Sequence, residues 1–337
     1  MHATDTKAGS LPPVILFQWI VIRATRWGVN AGALIGIFLV GFSWPAGIAL
    51  ALGVLFGLLS VTLAYHRYFA HRSFKTSRWF QLLLALWGAT SLQRGPIWWA
   101  AIHRQHHLHS DSEGDWHSPR DGFWHAHHGW LESPNILSVS YDRVSDLTRY
   151  PELKFLNTFY YIPALLMVAA LAVIGAYLEA RYPELGTSAW QMVVWGFFVR
   201  TVIVWQLSFT TNSLLHLSGW KRFDTGDDSR NSYVLGVVNL GDGFHNNHHR
   251  YPVSARHGFY WWEIDLTYYV IKLLEALHLV HDVKTPPATV LAEGRVGAEN
   301  RDYLASNQVV GGSSPSGRAI VSMACDDASA DHSAARS

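Results

Sequence analysis

The chain is predicted to be an all-α integral membrane protein, with four transmembrane helices in two hairpins capped by a cytosolic helical domain that holds two metal ions. Three observations lead there. Hydrophobic residues make up 49% of the 337 residues and charged ones only 15%, against the roughly 25% charge of a soluble globular chain. Apolar runs at 28–42, 46–65, 155–178 and 189–215 approach or exceed the length needed to cross a bilayer core as helix. The sequence also carries 19 histidines, most of them gathered where those runs end.

The elements follow in order. Residues 1–27 read as an N-terminal cytosolic or interfacial segment. Runs 28–42 and 46–65 are separated only by Ser43, Trp44 and Pro45 and form the first hairpin. A further apolar stretch, 79–99, is interrupted by Gln93, Arg94, Gly95 and Pro96, and reads as a helix lying in the interface or packed under the catalytic regions. The second hairpin is 155–178 with 189–215. Regions 66–154 and 216–284 carry the candidate chemistry, which makes 28–284 one domain. Residues 285–337 are rich in Gly, Ser, Ala and Asp and are expected to form a disordered tail.

Arg23, Arg26, Arg67, Arg72, Lys75, Arg104, Arg143 and Arg149 lie beyond one end of the hairpins, while the opposite connections hold only Arg181. The positive-inside bias therefore places both termini and every histidine cluster in the cytosol. A net charge of +1 offers no field for nucleic acid. The single cysteine, Cys325, excludes an intrachain disulfide and a thiolate-ligated iron–sulfur cluster.

The histidines fall into three clusters and a pair: His66 with His71; His103, His106 and His107; His245, His248 and His249; and Asn212 with His216. The i, i+3, i+4 spacing of the second and third puts the imidazoles on one helical face. The i, i+5 spacing of His66 and His71 separates them on a regular helix, so the chain must bend there or the two serve different ions. Nine imidazoles are too many for one ion and suit two, and imidazole fits zinc, copper and iron alike. Asp111, Asp115 and Asp242 adjoin the clusters and could orient ligand imidazoles. His125, His127 and His128 have a poorer spacing and read as packing groups; His109, His117, His257, His278 and His281 read as ordinary polar residues. Gly241 and Gly243 lack the third glycine of a dinucleotide fingerprint, because Asn246 stands there.

His66–His71, His103–His107 and His245–His249 resemble the three histidine boxes of the membrane fatty acyl desaturases. Asn212-x-x-x-His216 is similar to the additional ligand element of the stearoyl-type, delta-9 branch. Ser110-Asp111 through Pro119, Gly122-Phe123-Trp124 through Gly129-Trp130, and Trp261-Trp262-Glu263-Ile264-Asp265 extend the likeness. The resemblance implies metal ligands at His66, His71, His103, His106, His107, His216, His245, His248 and His249, with Asn212 acting through a water. It implies two iron ions, O2 as co-substrate, and removal of two hydrogens from adjacent methylenes of a long-chain saturated acyl group. Such a substrate needs an apolar tunnel, for which Trp87, Trp98, Trp99, Trp261 and Trp262 are candidate walls. With no flavin, haem or cluster motif in the chain, a separate electron donor (a ferredoxin, cytochrome or NAD(P)H-dependent reductase) is expected. Ala101-Ile102 and Leu131-Glu132 stand where the animal acyl-CoA enzymes carry charged residues that hold CoA, so acyl-lipid and acyl-carrier-protein substrates join acyl-CoA as options. A lipid hydroxylase at the same centre is the close alternative, and a metal-transport protein the remote one.

Overall fold

The computed structural model describes residues 12–295. The elements are α1 (Pro13–Val40), α2 (Trp44–Leu59) continued by a π-helix (Ser60–Ala70), β1 (Lys75–Thr76), α3 (Arg78–Ala89), α4 (Pro96–His109), α5 (Phe123–His127), α6 (Ser145–Thr148), α7 (Pro151–Thr158), α8 (Ile162–Arg181), α9 (Ala189–Val193) continued by a second π-helix (Val194–Val199), α10 (Arg200–Asn212), α11 (Leu214–Leu217), α12 (Tyr233–Val238), α13 (His245–Arg250), α14 (Leu266–Ala276) and β2 (Val280–His281). The two short strands pair antiparallel, Lys75 opposite His281.

Among the described residues three helices are long and apolar enough to cross a membrane: Trp44–Ala70, Ile162–Arg181 and Ala189–Leu217. Phe38, Trp44, Ile48, Val173 and Trp190 stand exposed on these helices and on α1, as side chains that face hydrocarbon do. The two hairpin tips are tied together: Ser43 Oγ donates to Thr187 Oγ1 at 2.9 Å, and Gln191 and Trp195 donate to the carbonyls of Val40 and Gly41. Gly41 ends α1 at φ 66°, a left-handed conformation that glycine adopts without steric cost.

Several expected boundaries change. The first helix begins at Pro13 and passes without a break through residue 28, because nothing between Pro13 and Val40 breaks a helix; residues 1–11 lie outside the described residues. The run from 155 divides: α7 ends at Thr158, and α8 starts afresh with Pro163 in its first turn, where a missing N–H costs nothing. The stretch 79–99 becomes α3 and the start of α4, divided at 90–95. With 12 residues, α3 is about 18 Å long, too short to span. Residues 288–295 are helical, which corrects the tail reading for that part. Val290 is buried against Phe223, Phe259 and Tyr260, and Arg250 pairs with Glu293. Residues 296–337 lie outside the described residues.

One charge lies deep in this scaffold. Arg200, 2% exposed, donates from Nε to the Gly53 carbonyl at 3.0 Å and from Nη1 to the Thr90 carbonyl at 2.8 Å. A cation between apolar helices survives only when its donors are satisfied in this way. Gly53 and Gly57, four apart on α2, leave the groove it occupies: a Cβ on Gly57 would meet Arg200 Nη2 at 2.6 Å and Val204 Cγ2 at 2.7 Å. Gly57→Leu is therefore expected to cost about 1–3 kcal/mol or more through overpacking, read as a lower melting temperature in detergent, with Gly28→Leu, which meets open space, as the neutral comparison.

Candidate metal centre

The π-helix resolves the His66–His71 spacing. With i→i+5 hydrogen bonding, each turn takes up one extra residue, so side chains five apart face the same way. The His71 N–H bonds to the His66 carbonyl at 3.2 Å, and the two rings lie 5.0 Å apart. No bend and no second ion is needed to bring them together.

The nine histidines collect into two groups. His66, His71, His103, His107 and His248 offer ring nitrogens all within 4.8 Å of one another, and His106, His216, His245 and His249 form a second such set. The partition crosses the helices. In α4 the i, i+4 pair His103 and His107 serves the first group and His106 the second; in α13 the i, i+4 pair His245 and His249 serves the second group and His248 the first. A shared face in each cluster is thus corrected to a split one: residues three apart diverge enough on two facing helices to reach different centres.

Four imidazoles are held from behind by carboxylates. His66 Nδ1 lies 2.7 Å from Asp242, His106 Nδ1 3.0 Å from Asp115, His216 Nδ1 2.8 Å from Asp111, and His249 Nδ1 2.6 Å from Asp227. Three of these acids are those singled out beside the clusters. Asp227 was missed, since it sits 22 residues from His249 in a loop with no spacing signal. Its carboxylate is itself fixed by Thr225, Ser229 and the Ser229 N–H. Arg67, fully buried, bridges Asp242 and Asp265. Gly241, at φ 115°, has no room for a Cβ, which would lie 2.1 Å from Asp265 Oδ1.

Each such carboxylate accepts an Nδ1–H and so turns the Nε2 lone pair inward. In the first group neighbouring Nε2 atoms lie 2.8–3.1 Å apart, about the separation of adjacent ligands on an ion bound at roughly 2.1 Å. In the second, His249 Nε2 is buried with no protein partner. Converging lone pairs repel unless a cation lies between them, so this donor set fits two metal ions.

Electrostatics favour the ligating form at six of the imidazoles, whereas at His106 burial is outweighed by the pull of Asp115, which raises the value. Burial, then the neighbouring histidines, pushes His71, His103, His107, His245 and His248 well below the usual histidine value. Burial takes His249 down to about 4 against the opposing pull of Asp227. Burial alone would raise the Asp115, Asp227 and Asp242 carboxyls, but the histidines beside them hold all three well below the carboxylate range.

Two histidines read as ordinary polar residues lie against the groups. His257 is fully buried, 3.1 Å from Asp242 and with its ring 4.4 Å from that of His248; the His117 ring is 4.4 Å from that of His106. His127 is elsewhere, held between Ser213 and Gln206 at 2.9 Å each.

One cavity reaches the first group. His66, His103 and Asp242 line it together with Leu58, Val61, Trp98, Trp99, Phe209 and Asn212. Of the candidate wall residues, Trp98 and Trp99 line this cavity. Trp87 instead packs in the core beside it, and Trp261 and Trp262 are 81% and 45% exposed, because the loop before α14 turns them outward.

Membrane-crossing helices joined to two knots of inward-facing imidazoles define a membrane protein with a candidate dinuclear metal centre. Residues 42–283 match the family model described as fatty acid desaturase, and the chain belongs to that family; it is a fatty acyl desaturase, an oxidoreductase. It is 40% identical over 260 residues to the sn-1 stearoyl-lipid 9-desaturase of Anabaena variabilis, covering 76% of this chain and 90% of that one. It is 39% identical to the chloroplastic palmitoyl-monogalactosyldiacylglycerol delta-7 desaturase of Arabidopsis thaliana, covering 73% of this chain and 64% of that longer one. An acyl-CoA 5-desaturase of Anemone leveillei is 40% identical over 249 residues, 73% of this chain and 74% of that one.

Proposed function

We propose that this protein is an oxygen-dependent desaturase that places a cis double bond at position 9 of a saturated acyl chain carried on a membrane lipid. The observation that carries the reading is the opening of the first imidazole group onto an apolar cavity, so that a featureless hydrocarbon can lie beside the metal site. His66, His71, His103, His107 and His248 would hold one iron; His106, His216, His245 and His249, with Asn212 through a water, would hold the other. An unactivated methylene offers neither an acidic proton nor a leaving group, and the bound iron pair would supply the oxidising power that acid–base side chains lack.

The chain's own residues bind and orient. Trp98, Trp99, Leu58 and Phe209 give the acyl chain an apolar wall that excludes water, and the four aspartates fix the direction of the imidazoles. The overall change, CH2–CH2 with O2, two electrons and two protons going to CH=CH and two waters, requires electrons from a separate donor protein. A lipid carrier is supported by Ala101 and Ile102, which offer nothing to CoA phosphates, and by Glu132, which is engaged by Arg23 and Arg26. It is also supported by the kinship with the sn-1 stearoyl-lipid 9-desaturase, whose length is nearly all matched. In this reading α1 is a fourth span and the histidine face is cytosolic.

The test is gas chromatography–mass spectrometry of total fatty acids, with double bonds located by derivatisation, from host cells expressing the full chain with a compatible electron donor. A new 9-monounsaturated acid on glycerolipid is the expected result. A hydroxylated acid would move the assignment to an oxygenase, and no new acid despite iron loading and electron supply would overturn it.

A further inference from the structure

Three arginines line the cavity: Arg23, Arg26 and Arg94. Two are accounted for: Arg23 and Arg26 both pair with Glu132, and Arg26 also donates to the His128 carbonyl. Arg94 has no carboxylate within ion-pair distance among the described residues. Its Nε and Nη1 are buried and without a hydrogen-bond partner, while the face of the guanidinium rests on Trp98, 4.5 Å from the ring centroid. Desolvated donors left unmade cost more than the bonds they form are worth, so an arginine in this state calls for an acceptor from outside the chain.

The backbone places it there at a cost. Leu92 and Arg94 have φ of 54° and 67°, a left-handed conformation that side chains with a Cβ rarely take. The turn is held by Tyr65 Oη, which donates to the Arg94 carbonyl at 2.7 Å, and by Gly95, where a Cβ would collide with Asn157. Strain kept by so many contacts at a cavity wall marks a side chain whose position matters. The acceptor must be a group that enters this cavity, and the one polar atom that every acyl substrate necessarily brings with its hydrocarbon is the carbonyl oxygen on carbon 1.

We infer that Arg94 binds the acyl carbonyl oxygen of the substrate and anchors the head end of the chain in the cavity. This rests on the acyl-chain reading above and adds to it a specificity-determining residue; the carbonyl can come from a glycerolipid ester or a CoA thioester. Trp98 beneath the guanidinium holds the fork flat against the wall, leaving its edge free to donate.

The test compares Arg94→Gln and Arg94→Lys with wild type on 1-stearoyl glycerolipid in nanodiscs, on the same lipid with an ether in place of the ester, and on stearoyl-CoA. Binding is followed by tryptophan fluorescence in parallel with product formation. Wild type is expected to prefer ester over ether by about 10- to 100-fold in Kd and KM, the span of a charged hydrogen bond. Arg94→Gln should lose that preference with kcat little changed and an unaltered melting temperature, and Arg94→Lys should retain part of it. An ester-to-ether ratio and a stearoyl-CoA affinity both unchanged in Arg94→Gln would overturn the inference. If Arg94→Gln weakens the binding of stearoyl-CoA alone, Arg94 keeps its role and the lipid carrier is rejected. If wild type forms no product from any substrate, the desaturase reading fails while the binding arm still decides on Arg94.

Discussion

His248→Ala is expected to abolish desaturation and to lower the metal content from about two ions per chain to about one. The activity loss should exceed 100-fold, beyond the roughly 10- to 100-fold that removing an outer partner of a ligand costs. The reason lies in the partition: His248 is the single contribution of α13 to the first imidazole group, and its ring nitrogen lies 3.0 Å from that of His66 and 2.9 Å from that of His107. His245→Ala, one turn earlier on the same helix, should empty the other site instead. Metal analysis of purified protein, read beside fatty acid analysis of the host, checks both. The control is His127→Ala, whose ring bonds to Ser213 and Gln206 and belongs to neither group. Retention of both ions in His248→Ala would refute the division into five and four.

Asp242→Asn is expected to be the most damaging change that removes no ligand. The Asp242 carboxylate is buried and answers His66 Nδ1 at 2.7 Å, Arg67 at 3.1 Å and His257 at 3.1 Å. A neutral amide leaves the buried Arg67 with Asp265 as its one carboxylate, and unpairing a buried charge costs about 3–5 kcal/mol. It also frees the His66 ring to turn, with an expected loss of about 10- to 100-fold in affinity at the first site. Both are measurable, the first by thermal melting and the second by competition with a chelator. Asp228→Asn, which loosens only partly exposed pairs with Arg120 and Lys221, should change stability by no more than about 0.5 kcal/mol.

Much of the molecule was legible because its two strongest signals are local. Apolar length reads directly as membrane helix, and the runs from 46 and 189 fall within two of the three helices able to span. The histidine clusters stand out because imidazoles in repeated His-x-x-His-His spacing are costly surface decoration. Asp111, Asp115 and Asp242 could be named because they sit beside a cluster in the chain. Asp227 could not: its pairing with His249 is made by a loop returning from another part of the fold. Trp261 and Trp262 misled for the mirror reason, since an aromatic pair beside a motif gives no sign of which way its loop will turn. The helical segment 288–295 was hidden because its stability comes from Val290 docking on distant aromatics rather than from its own composition.

The residues by themselves determined the class of molecule: a membrane helix protein with enough imidazoles for two ions, since hydrophobic length and ligand type are properties of short stretches of chain. Only the tertiary structure decided how the nine histidines divide. That division depends on a π-helix that brings His66 and His71 to one side and on two helices, α4 and α13, that face each other with opposite parities. The meeting of α4 and α13 joins segments more than 100 residues apart, which no local spacing encodes.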